Sequence, residues 1–443
     1  MKKLLTVLLS GAMLIGATAA FAGCGDDVAE NQLVISRWAS VYERSAFEEW
    51  GEIFEAENPD IDLVWNFNDY SNYFTKLRYD LLDNAAADVV FLSTWGWGPY
   101  RESNVFVDLD SVESLKDTIA GLNADANEQF MNGEERLGAT IGITTRRIAV
   151  DTATFEGSQY DIDELKTRTT CFEPEEMLSI LGSVADENNK TYALKMDSSE
   201  AAFLLTASAG APIVNNATKT VDVDCDAGKA AVCDLVLLFQ SGYVVPFGQD
   251  TNSSASGTFD EAMLVQGQNT VLTSYTGPWG FSTLQNAGKD IVTLPAFKAT
   301  DGEDTMLVTY NNLCVPKASE KKDMAYRFIE WALSYEAQVE FAKFSDLPAN
   351  TQAYDFVAGG TSEEFPTDLF GSFAAGAENI YYMDGMSDEF ASAFSAAMSN
   401  LLNTQYGLTF ENYDDPANAT RLNTLNAAID QFCAALKAAE DKL

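Results

Sequence analysis

The sequence predicts an α/β protein of more than one domain, and three observations carry that expectation. Five strand and helix patterns alternate between Leu33 and Leu92, the order that builds a parallel sheet with right-handed crossovers. The alternation resumes in the middle and late parts of the chain. At 443 residues, the chain also exceeds what one hydrophobic core ordinarily serves.

The first strand reads as LVISRW, Leu33 to Trp38. Phe47, Trp50 and Phe54 then recur at i, i+3 and i+7, an amphipathic helix that Asn58-Pro59 stops. Ile61, Leu63, Trp65 and Phe67 alternate with polar residues, which marks a second strand. Phe74, Leu77 and Leu81 form another helical stripe before the continuous apolar strand Val89 to Leu92. Ligands of open parallel sheets lie beyond the carboxyl ends of the strands. The loops after Trp38, Phe67 and Leu92 are therefore expected on one rim. Further on, Glu173-Pro174 opens a helix through Leu181, and another runs from Asp226 to Ser241 before Gly242. Thr270 to Tyr275, Asp290 to Phe297 and Leu307 to Val315 read as strands. A helix with Phe328 and Trp331 on its apolar side follows. Leu422, Leu425, Ile429, Phe432 and Leu436 stripe the last helix as core.

Composition removes several kinds of function. Lys plus Arg number 27 against 67 for Asp plus Glu, a formal charge of −40. Such a field repels a phosphate backbone, so no nucleic-acid partner is expected. Histidine is absent, which excludes Ser-His-Asp and Cys-His catalysis and His-ligated zinc. Asp222, Asp224, Asp226 and Gly228 mimic a calcium loop, but the glycine stands at position 7 and Cys233 at the closing position. Asp226 is better read as a helix N-cap. No metal and no cofactor are expected. Beyond Cys24, the cysteines Cys171, Cys225, Cys233, Cys314 and Cys433 make an odd count without C-x-x-C spacing. Burial accounts for Cys314 on an apolar strand and Cys433 on an apolar helix face. Export would permit one disulfide without naming the pair.

The N-terminus reads as an address. Lys2 and Lys3 precede an apolar run from Leu4 to Phe21, the pattern of an export signal. Ala20-Phe21-Ala22 fits a plain signal-peptidase cut. Phe21-Ala22-Gly23-Cys24 resembles a bacterial lipobox, which would place a lipid on Cys24. Residues 1–23 are then a signal peptide and 24–32 a lipidated tether, and this is the preferred reading. A spanning helix is the competing one.

Seven segments, in order, resemble the extracellular solute-binding proteins of bacterial ABC importers, specifically the carbohydrate-binding group that includes maltose-binding protein. They are Phe54 to Ile61, Ala87 to Phe91, Pro174 to Leu178, Phe259 to Gly267, Thr276 to Trp279, Ala325 to Trp331, and Leu347 to Ala349. The resemblance implies a two-lobe periplasmic-binding-protein-like α/β fold with discontinuous lobes joined by three hinge crossings. Those crossings fall near Gly142 to Thr145, Val308 to Tyr310 and Asp346 to Ala349. The N-terminal lobe would comprise 33–143 plus 311–346, and the C-terminal lobe 147–308 plus 350–443. Ligand would lie between the lobes, which close by hinge motion.

Candidate ligand-binding residues follow from chemistry and position. Trp95 and Trp97 flank Gly96 directly after a buried strand, where an indole can stack on the C–H face of a sugar or pack locally. Trp279 follows Tyr275 and Gly277-Pro278 at a strand end, and in the resembled family the matching Trp stacks on sugar. Trp38 ends the first strand, with Glu43 and Arg44 beyond it. Tyr310 and Asn311 lie at the second crossing, where Asn311 serves either vicinal hydroxyls or a turn. Arg146 and Arg147 are rare cations after the first crossing, for an acidic ligand or an ion pair. Glu200 and Tyr382 fall where the floor of the second lobe belongs.

The expected function is an extracellular sugar or oligosaccharide-binding lipoprotein delivering ligand to ABC permease subunits, a monomer anchored to the cell membrane through Cys24. The same fold binding a non-sugar solute is one alternative. A surface glycoside hydrolase using paired carboxylates is the other, but the family pattern leaves no room for a catalytic domain, so no enzyme is expected.

Overall fold

The computed structural model describes residues 29–39, 41–185, 192–248, 271–280, 288–360, 365, 379–382 and 385–443. The signal segment, Cys24 and the Phe259 to Gly267 stretch lie outside the described residues.

The chain opens with β1 (Gln32–Trp38), α1 (Val41–Glu57), β2 (Asp62–Asn68), α2 (Tyr70–Leu82) and β3 (Val89–Ser93). Both neighbours pair parallel with β1, in registers from Gln32↔Asp62 to Trp38↔Asn68 and at Ile35↔Val89. The apolar stripe of α1 is spent as its spacing implies: Phe47, Trp50 and Phe54 are buried. The Trp50 indole also donates to the Ala337 carbonyl at 2.9 Å. Asn58 ends the helix by donating its side-chain amide to the Phe54 carbonyl.

Short helices α3 (Lys116–Ala120) and α4 (Ala124–Asn127) and the small hairpin β4 (Met131–Asn132) and β5 (Glu135–Arg136) lead into β6 (Ala139–Thr145). Only Arg146 separates β6 from β7 (Arg147–Asp151), yet the two strands belong to different sheets. Around β7 gather β8 (Tyr192–Lys195), β9 (Val271–Thr276) and β10 (Ile291–Leu294), in the order β10-β7-β9-β8. Helices α5 (Ile162–Leu165), α6 (Pro174–Gly182), α7 (Ser198–Ser208) and α8 (Asp226–Gln240) accompany this second sheet. The N-cap of α8 is Cys225, whose sulfur accepts from the Gly228 amide, so Asp226 is the first helical residue rather than the cap. The oxygens of Asp222 are taken by Asn215 and Thr220, and Asp224 pairs with Lys229.

The long β11 (Thr305–Cys314) returns to the first sheet, antiparallel to both β3 and β6, with a bulge at Asn311/Asn312. Then come α9 (Lys322–Ala332), α10 (Tyr335–Ala342), β12 (Leu347–Pro348), α11 (Thr351–Ala358), β13 (Asn379–Tyr382), α12 (Asp388–Leu402) and α13 (Ala419–Ala438). The first sheet runs β12-β6-β11-β3-β1-β2, with β13 also on β11.

Each sheet has its own core. Strand β3 shows the layering of the first: Val89 and Phe91 face one apolar cluster, Val90 and Leu92 the cluster on the opposite face. The second core gathers α6, α7, α8, α12 and α13 over β7 to β10. The sequence expectation assigned everything after residue 350 to the second lobe. Val357 and Phe365 instead bury in the first core, because the apolar face of α11 closes over β12 and α10. Cys171, Cys314 and Cys433 are buried and Cys225 is exposed, all as free thiols.

Candidate ligand-binding cleft

Parallel pairing aligns the carboxyl ends of β1, β2 and β3, and the residues just beyond them converge. Tyr70, Tyr73 and Phe74 occupy i, i+3 and i+4 of α2 and surround Trp38. Tyr70 meets its ring edge-on at 5.5 Å and Tyr73 at 5.3 Å, while Phe74 lies tilted at 5.6 Å. Tyr70 remains 42% exposed. After β3, Ser93 caps a tight turn by accepting from the Trp95 amide. Half-buried Trp95 then reaches the second core, edge-on to Phe203 of α7 at 5.8 Å.

The second sheet supplies the facing rim. Strands β8 and β9 run parallel, with Lys195 opposite Ser274, so their ends also coincide. Asp197 caps α7 by accepting from the Ser199 and Glu200 amides, which fixes Glu200 in the first turn. Beyond β9, the Trp279 ring folds back over Gly277, where any side chain would collide with it. The guanidinium of Arg146 lies 5.2 Å from the centre of that ring. It pairs with Glu200 at 2.5 Å and donates to Thr309 Oγ1 at 3.4 Å.

Burial raises the Glu200 pKa, with Arg146 opposing. Burial alone would lower that of Arg146, but the charges of Glu200 and Tyr275 and the Glu200 hydrogen bond outweigh it and raise it. The Tyr275 hydroxyl is buried among these charges without a hydrogen-bond partner among the described residues. Glu200 and Asp197 also act on Tyr70, which ties the first rim electrostatically to the second.

Strands β6 and β11 and the residue entering β12 meet at one carboxylate. Asp346, 4% exposed, accepts from Thr144 Oγ1 and from Asn311 Nδ2, each at 2.7 Å. A Cβ on Gly142 would stand 2.8 Å from the Cβ of Asp346, so glycine is what permits the close approach. Burial raises the Asp346 pKa against those two hydrogen bonds and the charges of Arg37 and Arg146.

Arg146, Glu200, Tyr275 and Trp279 thus gather where β6 passes into β7, with Asn311 beside them on Asp346 and Trp38 and Trp95 on the rim of the first sheet. Others of the sequence candidates fall elsewhere. Trp97 turns under the sheet, 2% exposed and 4.6 Å from Phe130, because the short turns at Thr94–Gly96 and Gly98–Tyr100 reverse its direction. Tyr310 is likewise 2% exposed. It shares the core face of β11 with Val308, while Thr309 and Asn311 alternate toward Arg146 and Asp346. Glu43 is the partner of buried Arg37 at 3.6 Å. That guanidinium lies 3.4 Å from the centre of the Phe47 ring, and burial pushes its pKa down to about 10. Arg44 pairs with Asp69 at the surface. The backbone of Tyr382 pairs with Val308 in β13, and its side chain lies outside the described residues. Sequence reasoning missed Tyr70, Asp197 and Asp346. The spacing Asp197-x-x-Glu200 is a capping-box signal that marks the start of α7.

Solved structures similar to this chain share its fold. An ABC substrate-binding protein of Listeria monocytogenes in complex with cycloalternan is 17% identical, with a TM-score of 0.70 over 91% of this chain and 99% of that one. A solute-binding protein of Thermotoga lettingae bound with α-D-tagatose is 15% identical, with a TM-score of 0.67 over 91% and 100%. The maltose/maltodextrin-binding domain of Bdellovibrio bacteriovorus bound to maltotriose is 14% identical, with a TM-score of 0.67 over 92% and 99%. Among curated proteins, no sequence matches. The family described as bacterial extracellular solute-binding protein matches residues 49–368. With that pattern over most of its length, the chain belongs to the bacterial extracellular solute-binding proteins.

Proposed function

We propose that this protein captures a sugar or oligosaccharide between its two lobes and delivers it to the permease of an ABC importer. One observation carries the reading. Trp279, Trp38, Tyr70 and Trp95 offer aromatic surface around a polar floor of Arg146, Glu200 and the Tyr275 hydroxyl, which has no hydrogen-bond partner among the described residues. Sugars need this combination, an apolar face for C–H surface beside groups that take hydroxyls. The ligands held by similar structures support the same class. The family consists of binding proteins outside the cytoplasm rather than enzymes. Delivery from the membrane surface would rest on lipid at Cys24, read from the sequence alone.

The test is a thermal-shift screen of the mature protein against D-tagatose, maltotriose and a set of other mono- and oligosaccharides. A ligand that binds only the folded state raises the midpoint. At least one sugar is expected to do so at millimolar concentration or below. A flat response across the sugars, with a rise for amino acids, peptides or polyamines, would move the protein to another ligand class.

A further inference from the structure

We propose that Glu200 sets the charge class of the ligand, neutralising Arg146 so that the cleft takes uncharged polyhydroxylated rings and turns away uronic acids. This rests on the sugar-binding reading and sharpens it. An unpaired guanidinium beside an indole would be a ready site for a sugar carboxylate. Here the guanidinium is already committed to Glu200 at 2.5 Å, and both side chains are largely withdrawn from water. Its other contacts, Thr309 Oγ1 and the Trp279 face, are uncharged.

The surrounding groups carry both signs, and buried Asp346 also feels the Arg146 charge. Lys195, 8% exposed, and Asp197 both act on Glu200, one of each sign. A second carboxylate brought to Arg146 would meet Glu200 and Asp197 in a place where water screens little. A hydroxyl meets no such cost. It can accept from Arg146 and donate to Glu200 without breaking the pair. The buried Tyr275 hydroxyl points to the same chemistry, because it both donates and accepts and has no partner among the described residues.

The experiment uses calorimetric titration with sugars that differ only at C6: D-glucose against D-glucuronate, and D-galactose against D-galacturonate. Maltotriose serves as a longer neutral probe. Wild type is expected to bind the better neutral sugar at least about tenfold more tightly than its acid. Glu200→Gln keeps the shape and hydrogen-bonding reach while removing the charge. It is expected to tighten uronate binding by about tenfold to a hundredfold and to change neutral binding less. The double variant Arg146→Gln/Glu200→Gln is expected to lose that gain, which separates a charge effect from a change of shape. Unfolding curves establish that each variant is folded. Uronates bound by wild type as tightly as neutral sugars would overturn the inference. So would unchanged discrimination in folded Glu200→Gln. Neither result touches the sugar-binding reading, whereas silence of all three proteins toward every sugar removes that reading and the inference with it.

Discussion

The indole of Trp279 lies half-buried, folded over Gly277 and faced by the Arg146 guanidinium. Glycine before it therefore serves close approach of the ring to the backbone. A sugar face laid on the remaining surface removes apolar area from water on both partners, worth about 1–3 kcal/mol. Trp279→Ala is expected to weaken sugar binding by about tenfold to a hundredfold, with a smaller loss of stability. Calorimetric titration beside a denaturation curve checks this. Intact affinity with a large loss of stability would make Trp279 a core residue. Asp234 offers a separate test through pH. It is buried on α8 and accepts from the Thr300 amide at 2.8 Å, and burial lifts its pKa to about 6. The folded state therefore keeps a proton that the unfolded chain releases near the ordinary carboxylate value. Stability from this group is full below about pH 4 and is lost as pH rises through about 6, on the order of 3 kcal/mol. Asp234→Asn keeps the acceptor and should abolish that loss. The difference in stability between variant and wild type should grow from pH 4 to pH 7. A difference independent of pH would show that Asp234 titrates normally.

Strands β6, β11 and β12 lie side by side, and Asp346 binds one residue from each of the other two through Thr144 and Asn311. This junction holds the three strands in register. Asp346→Ala would leave the Asn311 amide and the Thr144 hydroxyl without their carboxylate, and Arg37 and Arg146 without its charge. The expected cost is about 2–4 kcal/mol in chemical denaturation. A loss under about 0.5 kcal/mol would show the contact to be incidental. Strands β1, β2, β3, β9, β10 and β11 were legible in sequence, because each apolar run is bounded by a polar or turn-forming break, whereas β6, β7 and β8 were not read as strands. The faces of the residues after them were not. Trp97 and Trp95 are two positions apart in one motif, yet successive short turns send one into the core and the other toward α7. Tyr310 and Asn311 are adjacent, and only strand register assigns Asn311 to the junction.

Two sheets, each with its own core, are joined where β6 passes through Arg146 into β7, and the two-lobe architecture followed from the alternation of elements together with the family resemblance. The candidate site was partly legible. Trp38, Trp95 and Trp279 stand out as aromatics at strand ends. The Arg146–Glu200 pair did not stand out, because its members are 54 residues apart and only folding brings them together. The sequence also gives no view of Asp346 as the shared acceptor of β6 and β11. No described helix is long and apolar enough to cross a membrane, and the anchor proposed from the sequence is a lipid on Cys24. Cys24→Ala is expected to move the protein from the membrane to the soluble fraction on fractionation. Equal retention of the variant would contradict lipid anchoring. The proposed capture between the lobes would have a direct physical consequence, because a ligand gripped by both rims favours a closed arrangement. Small-angle scattering of the mature protein, with and without a saturating sugar from the thermal-shift screen, measures it. The account predicts a smaller radius of gyration with sugar bound. An unchanged radius, with calorimetry showing the site filled, would contradict it.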